Sequence, residues 1–163
     1  MTTQKGASRR TSISLRLVST TDLPLLYEFQ LDAEANHMAG TRPRTQEAFA
    51  ALWERNLADP TITARVILTD DEVVGSVCCF QAGDIHYVGY WIDRPYWGRG
   101  IASRALQLFL EVLPIRPLQA RVATTNVASI RVLQKCGFAI EGYEHSPGSE
   151  RYIEGEEAIL SLR

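Results

Sequence analysis

Two glycines flank one arginine at Gly98-Arg99-Gly100. They follow the apolar run Tyr90-Trp91-Ile92 and the turn Asp93-Arg94-Pro95, and they directly precede Ile101, Ala102 and Ser103. That spacing suits anion chemistry. The first N–H groups of a helix lack intrahelical partners, and the aligned peptide dipoles put partial positive charge at the same end. Glycines let the chain turn tightly and let a phosphate approach main-chain N–H groups. Small Ala102 and Ser103 keep the first helical turn clear, and Arg99 adds a cation beside it. The same two glycines also suffice for an ordinary strand-to-helix turn, because short glycine motifs recur by chance.

Further polar candidates stand elsewhere in the chain. Asn126 opens the run N-V-A-S-I-R-V-L-Q-K-C-G-F, with Ser129 three residues on; an Asn at that place is also an ordinary helix cap. His86 and Tyr87 precede the glycine turn on the same apolar run. The unperturbed pKa of histidine, near 6.5, suits a general base. Adjacent strand residues point to opposite faces, so at most one of the two meets a given cleft. Glu28 and Glu34 are carboxylate candidates in the first third of the chain. Cys78, Cys79 and Cys136 are odd in number and lack metal-ligand spacing, which reads as buried reduced thiols, no metal site and a cytoplasmic setting.

The elements that must position these groups follow from periodicity. Ser14–Val18 alternates as a strand, and Asp22 to Leu31 reads as a helix with Pro24 in its first turn. Asp32 to Pro43 reads as a loop, either a solvated connection or a pocket wall. Thr45 to Ala58 carries Phe49, Leu52, Trp53 and Leu57 on one helical face, and Asp59-Pro60 stops it. Thr63–Thr69 and Val73–Phe80 form a hairpin, and Ile85–Ile92 is a third paired strand delivering the glycine turn. A helix to about Leu113, a strand at Leu118–Ala123, a helix from about Ala128 to Cys136 closed by Gly137, and strands at Phe138–Tyr143 and within Tyr152–Leu162 complete the chain. The order is mixed α/β, with antiparallel hairpins first and strand-helix-strand units later.

The whole chain sets outer bounds. With 163 residues it suits one domain, expected over 13–163 after a mobile tail at 1–12. Its formal net charge of −2 argues against general nucleic-acid binding, which draws most of its affinity from basic surface. No apolar run approaches the roughly 20 residues needed to span a bilayer, and the first residues lack the apolar core of a secretory signal. Neither nucleic acid nor membrane is an expected partner.

Two stretches in combination resemble one family. Val88–Ile92 followed by Asp93-Arg94-Pro95 and then W-G-R-G-I-A looks like the acetyl-CoA-binding core of the GNAT superfamily of N-acetyltransferases. Asn126–Phe138 is similar to that superfamily's second segment. In the family the first pattern runs Arg or Gln, two residues, Gly, one residue, Gly or Ala. Here Trp97 takes the first place, a substitution that resembles the ribosomal-protein N-terminal acetyltransferase branch. The resemblance implies a mixed, mostly antiparallel sheet splayed between two parallel strands and flanked by about four helices. It implies acetyl-CoA as acetyl donor, bound by Trp91, Ile92, Trp97, Gly98, Arg99, Gly100, Ile101, Ala102, Ser103, Asn126 and Ser129. Main-chain groups of Trp91 and Ile92 would pair with the pantetheine amides, and Gly98–Ser103 would cradle the pyrophosphate. The implied acceptor is a primary amine of a small molecule, a peptide N-terminus or an antibiotic, and the family habit is a homodimer.

The chain departs from the family twice. Leu133 stands where many relatives carry a Tyr that protonates the leaving thiolate, which moves that expectation to Ser129. Tyr87 stands where the ribosomal-type branch carries a Glu base, which leaves Tyr87, His86 and the carboxylates of Glu28 and Glu34 as base candidates. Those gaps keep a second class open, a module that binds acetyl-CoA without turnover. The stretches least bound to any pattern, Asp32–Arg44 and Tyr143–Tyr152, are where acceptor specificity is expected.

Overall fold

The computed structural model describes residues 12–163. The tail expected at 1–12 lies outside them except for Ser12, which already exchanges hydrogen bonds with Asp70. Seven strands form one sheet in the order β1-β2-β3-β4-β5-β7-β6. They are β1 Ile13–Leu17, β2 Thr63–Thr69, β3 Glu72–Ala82, β4 Ile85–Ile92, β5 Leu118–Ala123, β6 Ala139–Ser146 and β7 Gly155–Leu162. Every neighbouring pair is antiparallel except β4 and β5, which run parallel. The α-helices among the described residues are α1 Leu23–Phe29, α2 Ala33–Ala39, α3 Gln46–Ala58, α4 Ile101–Val112 and α5 Val127–Lys135, five where about four were expected.

Apolar alternation sorts the two faces of the sheet. Along β2, Ile67 packs into a core with Leu106 and Phe109 of α4 and Leu133 of α5, while Val66 and Leu68 pack with Leu26, Phe29, Phe49 and Trp53 of α1 and α3. The sheet is thus the middle of three layers. Complete burial of a side chain such as Phe109 stabilises by about 1.5–3 kcal/mol, and it fixes α4 with its N-terminus at the end of β4.

The seam between β4 and β5 is where the sheet opens. Their pairing reduces to Tyr87 opposite Gln119, so the β4 edge from Val88 onward has no ladder partner on that side among the described residues. The β3 side of β4 is close-packed: a Cβ on Gly75 would sit 2.1 Å from the Trp91 carbonyl oxygen, so only glycine fits there.

The structure corrects one sequence expectation by an entire element. Asp32–Pro43 is not a loop, because Ala33–Ala39 forms α2. Asp32 caps it by accepting from Ala35 N–H at 2.9 Å, and Gly40 closes it in the left-handed region at φ 67°. Buried Asn36 pins the helix by donating to the Gln30 and Asp32 carbonyls and accepting from Thr41 Oγ1 at 2.9 Å. The last strand falls within Tyr152–Leu162 as expected, at Gly155–Leu162, and Tyr152 itself forms an isolated antiparallel bridge with Thr41.

Candidate functional site

The glycine turn lies at the mouth of the open seam. Gly98 and Gly100 take φ of 72° and 74°, and nothing lies within 4 Å of where a Cβ would be on either. Backbone conformation, rather than crowding by the protein, is therefore what requires glycine. Gly100 is the N-cap of α4 and offers no side chain, so the first N–H groups of the helix have no side-chain cap among the described residues. A cavity of about 290 Å³ begins there and runs along β4 beneath α2. Its walls carry open main-chain donors and helix-dipole charge, the chemistry that a pyrophosphate requires, so these residues fit the phosphate end of acetyl-CoA.

Trp91, Ile92, Trp97, Gly98, Gly100, Ile101, Ala102, Ser103, Asn126 and Ser129 all line this one cavity. Arg99 does not. It is exposed and its guanidinium stacks on the Tyr96 ring, 5.4 Å from the centroid, so it contributes charge near the mouth rather than a wall. Trp97 has a structural duty too: its indole N–H donates to the Ile92 carbonyl at 2.8 Å, which folds the turn back on the strand end. The α2 helix supplies Ala35, Met38 and Ala39 to the opposite wall and is tied to the turn by an Arg94–Asp32 ion pair at 3.1 Å.

At its inner end the cavity meets a polar knot. Asn126 caps α5, its Oδ1 accepting from the Ser129 N–H at 3.2 Å. The Ser129 hydroxyl lies 2.6 Å from the Tyr90 hydroxyl. Burial pushes the Tyr90 phenol up to about 12, so it remains protonated throughout the neutral range. Tyr90 was absent from the sequence-level candidates. Aromatic content on an apolar strand reads as core, and its partner lies 39 residues away on another element.

Beyond the knot lies a second cavity of about 530 Å³, which shares Ala39, Tyr90, Trp91, Asn126 and Ser129 with the first. Leu133 is buried in the core at its edge and has no donatable proton; Tyr90 and Ser129 are the hydroxyl-bearing residues that line both cavities. A third cavity of about 710 Å³ adjoins over β6 and β7; Tyr87 lines it together with Glu144, Glu154, Glu156 and Glu157. The Tyr87 ring stacks on Phe80 at 5.7 Å.

The other base candidates stand apart. His86 lines none of these cavities, and its Nδ1 is buried with no hydrogen-bond partner among the described residues. Glu28 and Glu34 are exposed on α1 and α2 and line none either. The cysteines are free, and burial raises each thiol; Cys78, beside the second cavity, is pushed up to about 11 by burial and its neighbour Cys79. Thiols this weakly acidic are poor nucleophiles. No cluster of metal-ligating side chains occurs among the described residues, and no helix there is long and apolar enough to cross a membrane.

Comparison with known proteins converges on one family. Residues 12–139 match the family model described as the acetyltransferase (GNAT) domain. The chain is 34% identical over 82 residues to the probable N-acetyltransferase YjcK of Bacillus subtilis (strain 168), a match covering 45% of each protein. It is 26% identical over 154 residues to the uncharacterized N-acetyltransferase p20 of Bacillus licheniformis, covering 83% of this chain and 86% of that one. Among solved structures, RimL, a ribosomal L7/L12 alpha-N-protein acetyltransferase in complex with coenzyme A, superposes with a TM-score of 0.77 at 20% identity over 94% of both chains.

Proposed function

We propose, on the premise that this chain belongs to the GNAT acetyltransferase family, that its two adjoining cavities hold the donor and the acceptor of a direct acetyl transfer. The chain is an acetyl-CoA-dependent N-acetyltransferase acting on a primary amine. The observation that carries this reading is the junction at Asn126, Ser129 and Tyr90, where the anion-binding cavity opens into the second one. Acetyl-CoA supplies an activated acetyl thioester. The Gly98–Ser103 main chain holds its pyrophosphate at the start of α4, and the unpaired edge of β4 receives its amide-bearing arm.

The chain's own groups then do two jobs. The Tyr90 and Ser129 hydroxyls share one hydrogen bond of 2.6 Å; with Tyr90 as its donor, the serine O–H is free to donate into the junction where negative charge develops on the departing sulfur. An amine with a pKa near 10 arrives mostly protonated, so a proton must leave it before attack. No carboxylate lines the second cavity among the described residues, so this proton leaves through water toward the adjoining cavity with Tyr87 and Glu156. Reduced, weakly acidic thiols fit a cytoplasmic setting.

The test is free-thiol release from acetyl-CoA across a panel of amines, run beside a measurement of coenzyme A affinity. Saturable, amine-dependent thiol release is expected. Tight coenzyme A binding without turnover on any amine would instead support the non-catalytic binding module.

A further inference from the structure

The segments 40–44 and 149–153 are buckled to each other. Arg42 N–H donates to the Arg151 carbonyl at 2.7 Å, the Arg42 guanidinium donates to the Ser149 and Tyr152 carbonyls at 2.8 and 3.2 Å, and the Arg151 guanidinium returns a bond to the Arg42 carbonyl. Buried Gln30 fastens the buckle from within. Its Oε1 accepts the Arg44 N–H at 2.6 Å and its Nε2 donates to the Arg44 carbonyl at 3.1 Å.

The consequence is electrostatic. Arg44 and Arg151 both reach the wall of the second cavity, Arg151 with its guanidinium 5.7 Å above the Trp91 ring. Neither forms an ion pair among the described residues. The third guanidinium on that wall, Arg121, is already taken by Glu144 at 2.6 Å and Glu157 at 2.9 Å. Burial, helped by the like charge of Arg44, pushes Arg151 down to about 10. Both residues are half-buried, and the Arg151 guanidinium bonds the Arg42 carbonyl, which leaves donors of the two groups for an anion whose geometry their planar forks match, a carboxylate.

We propose that the acceptor is a small primary amine bearing a carboxylate, gripped by Arg44 and Arg151 while its nitrogen faces the Tyr90–Ser129 junction. This rests on the acetyl-transfer reading and narrows it. The nitrogen lone pair forms the bond to the acetyl carbon as the carbon–sulfur bond breaks. The electron pair goes to sulfur, and the proton shed by the amine is balanced by the proton taken up there through solvent, giving an N-acetylated acid and free thiol. Polyamines and multiply charged amines meet a wall of their own sign.

The experiment measures kcat/KM by thiol release for the twenty amino acids, their carboxamides, aminoalkylphosphonates, a neutral tripeptide amide and spermidine. At least one amino acid should exceed its carboxamide by about 100-fold or more, as expected when donors arranged for an acceptor lose it. R151Q and R44Q should each shrink that ratio at least tenfold, mainly through KM for the acid. Carboxamides, phosphonates, peptide or spermidine equal to or better than the acids would overturn the proposal, as would variants that keep the ratio. Should no amine turn over, calorimetry on coenzyme A-loaded protein separates the two readings. Amino-acid binding lost in R151Q would uphold the arginine site and sink only the transfer reading; no preference for acids over carboxamides would sink the site. R44Q keeps its main-chain bonds to Gln30, and its coenzyme A affinity and melting temperature verify folding if R151Q is unstable.

Discussion

The hydroxyls of Tyr90 and Ser129 lie 2.6 Å apart, joining β4 to the first turn of α5 where two cavities meet. With one hydroxyl polarising the other, both should matter to the chemical step and neither to holding the phosphate end. Ser129→Ala is expected to lower kcat by about 100-fold, the loss typical of one preorganised donor. Tyr90→Phe should lower it about tenfold. The double variant should be little worse than Ser129→Ala, because groups that act as a unit are not additive. Steady-state kinetics with acetyl-CoA varied would check this, and unchanged kcat in both single variants would remove the pair from the mechanism.

The raised pKa of Tyr90 has a signature in alkaline solution. Its folded value of about 12 exceeds the unfolded value near 10, so the folded state binds the proton more tightly. The stability this contributes is fully present below pH 10 and is lost as pH rises through about 12. Chemical denaturation between pH 9 and 12 should show a steeper decline for the wild type than for Tyr90→Phe. Below pH 10, kcat should show no limb from Tyr90 ionisation.

At the glycine turn, Gly100→Ala places a Cβ in open space but at φ 74°, which costs about 1–2 kcal/mol for an L-residue. Relief of that strain rotates the α4 N-terminus that faces the cavity. The expected outcome is a lower melting temperature with a several-fold weaker coenzyme A affinity. Calorimetry would read the second, and an unchanged affinity would separate the turn from the phosphate site.

Asp22 tests the fold away from the site. It accepts from both Arg16 guanidinium nitrogens at 2.8 Å and from the Ser19 N–H, and the Arg16 bonds hold its carboxyl below the usual range. A depressed folded pKa contributes stability that is present above the unfolded value and is lost as pH falls through the folded one. Asp22→Ala should cost about 1–2 kcal/mol of folding stability by loss of the Arg16 bonds and of the acceptor for the Ser19 N–H. It should also flatten acid denaturation below about pH 4, with kcat unaffected.

Much of this architecture was legible in the chain. Ile85–Ile92 and Leu118–Ala123 have the bounds that apolar runs between turn residues suggest, and Gly98 and Gly100 make the tight turn that their spacing suggests. The α2 helix is hard to read in the chain because its seven residues bury only Ala35 and Asn36 and so carry almost no apolar periodicity, although Asp32 and Gly40 are cap-type residues. Tyr90 and the Arg44–Arg151 pair were illegible for another reason. Each depends on contact between distant segments, 39 and 107 residues apart in sequence, which no local pattern encodes. That His86 and Tyr87 are neighbours on one strand is readable in the chain, but that Tyr87 lines a cavity and His86 lines none depends on where β4 parts from β5, which no local pattern encodes.

The most direct test is a crystal structure with coenzyme A bound. The pyrophosphate should lie on the main-chain N–H groups of Gly98–Ser103, and the sulfur should come within hydrogen-bond reach of Ser129 Oγ at the boundary of the two cavities. A pyrophosphate seated elsewhere, or a sulfur remote from Ser129 and Tyr90, would contradict the account.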